Sequence, residues 1–184
     1  MNAWQQQLLT YVPTNEQEEK DLAAFRYAFE HFEDVLTREN PIAHMTCSAF
    51  VVNEARTHVL MAFHNIYDSW AWTGGHADGE ADFLRVATRE VEEETGVVAT
   101  PVQQMPISIE QLTVLGHMKK GQYVSEHLHL NVTYLMEADD ASHLVVCEGE
   151  NSDVAWIPLN ELATYCKEEH MMPIYQKIID KIHL

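Results

Sequence analysis

Apolar residues recur at helical spacing from Leu22 through Phe25, Phe29 and Phe32 to Leu36, and this stripe predicts a long helix near the N-terminus. Thr14, with Gln17 three residues on, reads as a capping box that opens it, and Asn40-Pro41 closes it. Beyond Pro41 the texture changes to short β-prone runs. "HMTCSAFVVN" and "THVLMAFH", separated by "EAR", predict an antiparallel pair. A second helix is expected over "ADFLRVATREVEEET", docked through Leu84, Ala87 and Val91 and ended by Gly96 as C-cap. Further strands are expected weakly within 101–114, strongly at "HLHLNVTYLMEA", and as two short runs around "HLVVC" and "VAWIPL". "LNELATYC" and "PIYQKIIDKI" read as helical, with Pro173 suited to a first turn. Strands around a central helix, with helices at both ends, imply an α+β or three-layer α/β/α domain.

The 184 residues suffice for one domain with a substantial core. Lys and Arg number 11 against 29 Asp and Glu, a net charge of −18. Such a chain has no basic footprint for a nucleic-acid polymer or an anionic membrane. An anionic ligand would need positive charge supplied locally, and a divalent cation is the obvious source. Cys47, Cys147 and Cys166 form no CxxC pair, so neither a zinc knuckle nor a disulfide framework is implied. The opening residues lack the pattern of a secretory signal, and no apolar run approaches the roughly 20 residues that span a bilayer. The expectation is a cytoplasmic protein.

The segment "TGGHADGEADFLRVATREVEEETGV", residues 73–97, carries the chemistry. With Glu90 as origin and about 100° per residue, Glu93 and Glu94 fall roughly 60° to one side and 40° to the other. Three carboxylates thus share one helix face. Their mutual repulsion opposes the helix by a few tenths of a kcal/mol per pair (roughly 0.2–0.5) unless a hard cation relieves it. A solvated acidic face is the alternative, but Gly74-Gly75 before the helix allows a tight loop with close backbone approach, and Arg89 sits beside the cluster.

This segment resembles the Nudix box, G-x5-E-x7-R-E-U-x-E-E-x-G-U with U aliphatic. Gly75, Arg89, Glu90, Val91, Glu93, Glu94, Gly96 and Val97 match it in register, a specific signal over 23 residues. One position departs: the glutamate expected six residues after Gly75 is Ala81, flanked by Glu80 and Asp82. The resemblance covers about residues 43–165. It implies a Nudix-type α/β/α sandwich around a mixed β-sheet with an added N-terminal helix. The chain would form a single domain over 1–184, with a helical extension over 1–40, a core over 43–165 and a C-terminal helix over 166–184. It also implies hydrolysis of the diphosphate linkage of a nucleoside diphosphate derivative or related small phosphorylated molecule. Mg²⁺ or Mn²⁺ would be held by Glu90, Glu93, Glu94 and the carbonyl of Gly75. Glu93 would position or deprotonate water, Arg89 would orient the carboxylates, and Glu150, in a loop with Glu148 and Asp153, would be a further acid.

Other residues carry weaker signals. The strand "HLHLNVTYLM" alternates, with Leu128, Leu130, Val132, Tyr134 and Met136 on a core face and His127, His129, Asn131 and Thr133 on the other. His127 and His129 suit a transition metal better than Mg²⁺. They are read as substrate contacts, against the alternative of a covered sheet face. His76 and Trp70 are further candidate substrate contacts, and Trp72 and Tyr123 are candidates to stack on a base. Two other functions stay open: a ligand-sensing Nudix module without turnover, and isopentenyl-diphosphate isomerase, which would need an active-site cysteine such as Cys47 and a histidine-rich metal site. The N-terminal helix is a candidate homodimer element.

Overall fold

The structure is a computed structural model that describes residues 1–66, 68–119, 121–147, 149 and 151–183. The N-terminal region holds α1 (Ala3–Leu8) and α2 (Glu16–His31). Then come β1 (Ala43–Asn53), β2 (His58–His64), β3 (Ser69–Ala71), β4 (Thr73–His76) and α3 (Phe83–Thr95). They are followed by β5 (Thr100–Pro101), β6 (Ser108–Val114), β7 (His117–Lys119), β8 (Gln122–Val124) and β9 (His127–Ala138). The chain closes with β10 (Asn151–Pro158), a 3₁₀ turn (Leu159–Glu161), α4 (Leu162–Tyr165) and α5 (Met172–Ile182).

The main sheet is mixed, in the order β10-β2-β1-β9-β5, with β3 on β2, β4 on β1 and β6 on β9. The expected β1–β2 pair is antiparallel, with Val51 opposite Leu60. β1 and β9 run parallel from Ala43↔Leu128 to Asn53↔Ala138. Side-chain alternation sends the two faces of this pair to different layers. Met45, Cys47, Ala49 and Val51 join Leu130, Val132, Tyr134 and Met136 beneath α2 and α3, through Phe25, Phe29, Val86 and Val91. On the opposite face Phe50, Val52 and Leu135 pack with Tyr175, Ile178 and Ile182 of α5. This is the expected α/β/α sandwich. Among the described residues no helix is long and apolar enough to cross a membrane.

The N-terminal helix differs from the expectation at both ends. Its N-cap is Asn15, whose side chain accepts from the Glu18 backbone N–H, while the Glu18 carboxylate turns back to Thr14 N–H and Oγ. Gln17, assigned above to the box, donates to Asp21 and to the Ile109 carbonyl. The helix stops at His31, and Asp34 adopts φ 55°. The stripe outlasts the helix because Val35 is buried and Leu36 partly so from a loop, which is tied to β1 by Met45 N–H on the Val35 carbonyl. Asn40 is part of that loop: its side chain donates to the Glu33 carbonyl and accepts from Ile42 and Ala43 N–H. "HLVVC" forms no strand; Val145 N–H instead caps the Thr95 carbonyl at the end of α3. The weak signal within 101–114 resolves into β5 and β6, and α1 and the β7–β8 ribbon had no counterpart in the sequence reading.

A buried ion network fastens α2 and α5 to the sheet edge. Glu18 accepts from Lys181 Nζ (2.5 Å) and lies 3.2 Å from Lys177 Nζ; Lys177 also meets Glu110 at 3.1 Å. Two cations and two carboxylates balance, as burial of charge demands. Burial alone would push the Glu18 carboxyl up, but the bond from Lys181, the Thr14 N–H, Lys177 and Tyr11 outweigh it and bring the group down to about 2. Because the folded value lies below the ordinary 4.5, the associated stability is present above that pH and is lost as pH falls toward about 2. Glu18→Gln is therefore expected to cost about 3 kcal/mol at neutral pH. In urea titrations the gap from wild type should narrow across that acid window; a gap independent of pH would contradict the assignment.

Candidate active site

α3 is set by its ends. The Asp82 side chain accepts from Arg85 N–H at 3.1 Å, and Gly96 takes the left-handed conformation (φ 71°) that a C-cap requires and an L side chain resists. Phe83, Val86, Ala87 and Val91 bury the inner face, with Leu84 only partly covered. Phe83 and Val86 were not singled out in the sequence.

The acidic face meets the double glycine at close range. Glu94, 8% exposed, accepts the Gly74 N–H at 2.8 Å. Glu90 lies against Gly75, where an added Cβ would stand 2.4 Å from the carboxylate carbon. Arg89 donates to Glu90 Oε1 at 3.1 Å and its Nε is 3.7 Å from Glu93 Oε1, while the Glu93 side chain remains 60% exposed. The Arg89 guanidinium is held more firmly protonated by Glu90. Gly75, Arg89, Glu90, Glu93 and Glu94 are thus brought together. The carboxylates of Glu90 and Glu94 at the loop, with Glu93 beside Arg89, offer oxygen atoms, the donor type that a hard cation such as Mg²⁺ takes. Glycine at position 75 is what lets Glu90 reach the loop.

Ala81 is exposed, and its neighbours do other work. Glu80 accepts from Asp82 N–H and pairs with Arg85, which together keep its carboxyl low, and Asp82 caps the helix. Glu148 and Glu150 lie outside the described residues. Asp153 is exposed, with its carboxylate on the adjacent Val154 N–H. The loop is tied to α3 by Asn151, which was not foreseen: its side chain donates to the Glu94 carbonyl and accepts from Cys147 N–H.

On the face opposite α3, a cleft of about 420 Å³ is lined by Gly75, His76, Trp72, His129, Asn131 and Glu168, among others. Thr46 and Ser48 hydroxyls donate to Asn131 Oδ1, and Asn131 Nδ2 donates to Glu110. This settles the geometry of the second face of β9: its middle is buried, polar and hydrogen-bonded. Trp70 falls outside the lining, with its ring edge-on to Phe63 (5.6 Å) and Tyr165 (6.4 Å), because β3 turns it toward α4; Trp72 lines the cleft in its place. Tyr123 sits on the β7–β8 ribbon, 68% exposed. His127 and His129 approach each other at 3.3 Å, joined by His44, whose ring centroid is 4.8 Å and 5.1 Å from theirs. His44 went unmarked in the sequence because its proximity depends on the parallel register His44↔His129. Cys47 is fully buried in the core below α3, and burial pushes its thiol up, which removes the reactive cysteine that the isomerase reading needs.

The family model for the NUDIX domain matches residues 43–181. The chain belongs to the NUDIX family. Its match extends past the core expected above to include α5. Solved structures share the NUDIX fold at low identity. A NUDIX-family hydrolase from Clostridium perfringens has 20% identity and TM-score 0.56, over 76% of this chain and 97% of that one. The NUDIX domain of Shewanella oneidensis NrtR, crystallised with ADP ribose, has 17% identity and TM-score 0.54, over 85% and 97%. The Escherichia coli dihydroneopterin triphosphate pyrophosphohydrolase has 13% identity and TM-score 0.55, over 74% and 95%. No curated protein matches the chain. The chemistry of the NUDIX family is hydrolysis of phosphorus-containing anhydrides.

The two adjacent glycines make separable demands. In Gly75→Ala the new methyl meets the end of a flexible side chain, so the fold should survive while Glu90 is displaced. In Gly74→Ala it meets the Cys47 carbonyl at 2.6 Å and the Ser48 Cα at 3.0 Å, which cannot move without disturbing β1. Thermal melts should show a small loss for the first and a loss of several kcal/mol (about 3) for the second; equal losses would contradict this geometry.

Proposed function

We propose that this chain is a pyrophosphohydrolase dependent on Mg²⁺ or Mn²⁺, cleaving the diphosphate linkage of a nucleoside diphosphate derivative or related small phosphorylated molecule. The observation that carries the reading is the docking of Glu90 and Glu94 onto the Gly74-Gly75 loop, with Arg89 bridging toward Glu93. Glu90, Glu93, Glu94 and the Gly75 carbonyl would hold the cation. When bound, it would neutralise phosphate charge and favour ionisation of water. Glu93, the most exposed of the three, is the carboxylate that can accept a proton from water. Arg89 fixes the direction of Glu90 through a charge-assisted hydrogen bond and draws Glu93 toward it as an ion pair. His76 and His129 line the cleft beside Gly75 and flank the space for a phosphate, and Trp72 offers an aromatic wall for a base.

A sensing module without turnover is the second reading, favoured by Ala81 together with the engagement of Glu80 and Asp82 elsewhere. The ADP ribose bound by the NrtR domain and the triphosphate named for the E. coli enzyme extend the range of ligands to try. The test is a panel of ADP-ribose, nucleoside diphosphate sugars, dinucleoside polyphosphates, NADH, (d)NTPs and a pterin triphosphate with Mg²⁺ or Mn²⁺, products being resolved by chromatography. Hydrolysis is expected, and Glu93→Gln should lower kcat about 100-fold or more without changing the melting temperature. Tight binding with no product would favour the sensor. Full activity in both Glu90→Gln and Glu93→Gln would place the reaction elsewhere.

A further inference from the structure

The group of histidines at one end of the cleft has no part in the acidic helix. One nitrogen from each of His44, His127 and His129 lies within 4.8 Å of the others. These rings come from β1 and β9, and β4 adds His76, whose ring centroid is 5.1 Å from His44 and 4.9 Å from His129.

Their hydrogen bonds define what each ring presents. His44 Nδ1 is 3.1 Å from the Asn40 carbonyl, and His127 Nδ1 is 2.8 Å from the Ser125 carbonyl. A carbonyl only accepts, so both Nδ1 atoms carry the proton and both Nε2 atoms present a lone pair. His44 is 4% exposed, and its Nε2 is buried with no hydrogen-bond partner. A buried, aimed and unsatisfied lone pair is costly unless something binds it. A carbonyl on the far ring nitrogen is also the arrangement that orients metal-bound histidines.

The spacing agrees. Two imidazole nitrogens, each about 2.0–2.1 Å from a shared tetrahedral ion, stand about 3.3 Å apart. His127 Nε2 and His129 Nε2 are 3.3 Å apart, in a hydrogen bond donated by His129 that an ion would replace, and the ligand atoms of the three residues lie within 4.8 Å of one another. Arg38, a cation whose charge reaches His44, is paired with Asp78 through Nε and one terminal nitrogen.

We propose that His44, His127 and His129 form a second metal site, selective for a first-row transition ion of the Zn²⁺ class and separate from the hard-cation site on α3. Imidazole nitrogens suit Zn²⁺ and Co²⁺, whereas Mg²⁺ requires oxygen. Three protein ligands leave a fourth position for water or an anionic oxygen. His129 also lines the cleft, so the site adjoins the space where a ligand would lie. The site does not depend on the hydrolase reading.

Tag-free protein in excess Mg²⁺, which fills the acidic helix, is titrated with Zn²⁺ by calorimetry and with Co²⁺ by visible absorption. About one equivalent should bind, with the intense d–d bands of tetrahedral Co²⁺. The bands should persist in Glu90→Gln/Glu93→Gln. Affinity should fall about 100-fold or more in His44→Ala and in His127→Ala. His127 is only half-buried, so its variant remains informative if loss of the buried His44 impairs folding. Absence of stoichiometric binding by wild type overturns the site. So does unchanged binding in folded His127→Ala, or its loss in the glutamate variant.

Discussion

The parallel pairing of β1 with β9 over the full eleven residues of β1 governs the rest of the molecule. Parallel neighbours cannot be joined by a tight turn, so the chain must leave β1 and return by a long crossover. That crossover contains β4, α3 and β6, and for this reason the double glycine and the acidic helix sit against the central strand pair. The register is equally decisive. A shift of one residue would put His44 under α3 and Cys47 in the cleft, exchanging an inert core thiol for an imidazole.

The second face of this pair is divided along its length. Phe50, Val52 and Leu135 lie under α5, whereas His44, Thr46, Ser48, His129, Asn131 and Thr133 lie at the uncovered end or beneath the cleft. Burying that many polar groups is tolerable only because they satisfy one another. Asn131 is the hub: it accepts from Thr46 and Ser48 and donates to Glu110, which Thr133 and Lys177 also reach. The cleft floor is therefore continuous with the ion network under α5. Among the described residues, His44 Nε2 is the one buried atom of the histidine group that has no hydrogen-bond partner.

What the sequence disclosed depended on whether the cause was local. The α3 carboxylates, Gly96 and the alternation of β9 follow from spacing along one element, and each has its expected place. The docking of Glu90 on Gly75 was foreshadowed by the fixed interval between glycine and helix. Long-range pairings were not legible. Nothing near His44 marks it as a partner of residues more than eighty positions away, and nothing around Glu18 announces two lysines in α5. The end of α2 was misread for the reverse reason: Val35 and Leu36 keep a helical rhythm while packing from a loop, since burial of apolar side chains does not require a helix. Trp70 and Trp72 are alike in sequence, and only the turn from β3 into β4 separates a packing ring from one on the cleft wall.

The ion network also imposes an order on events. Glu18 and Glu110 share the Ser108 hydroxyl, and the lysine that neutralises Glu18 stands 163 positions farther along the chain. During synthesis the two carboxylates are made well before either lysine, so the sheet edge cannot dehydrate there without confining like charges. That edge must stay wet until α5 docks. Closing the seam dry is therefore the work of α5, and any local opening of that helix returns water to both carboxylates at once.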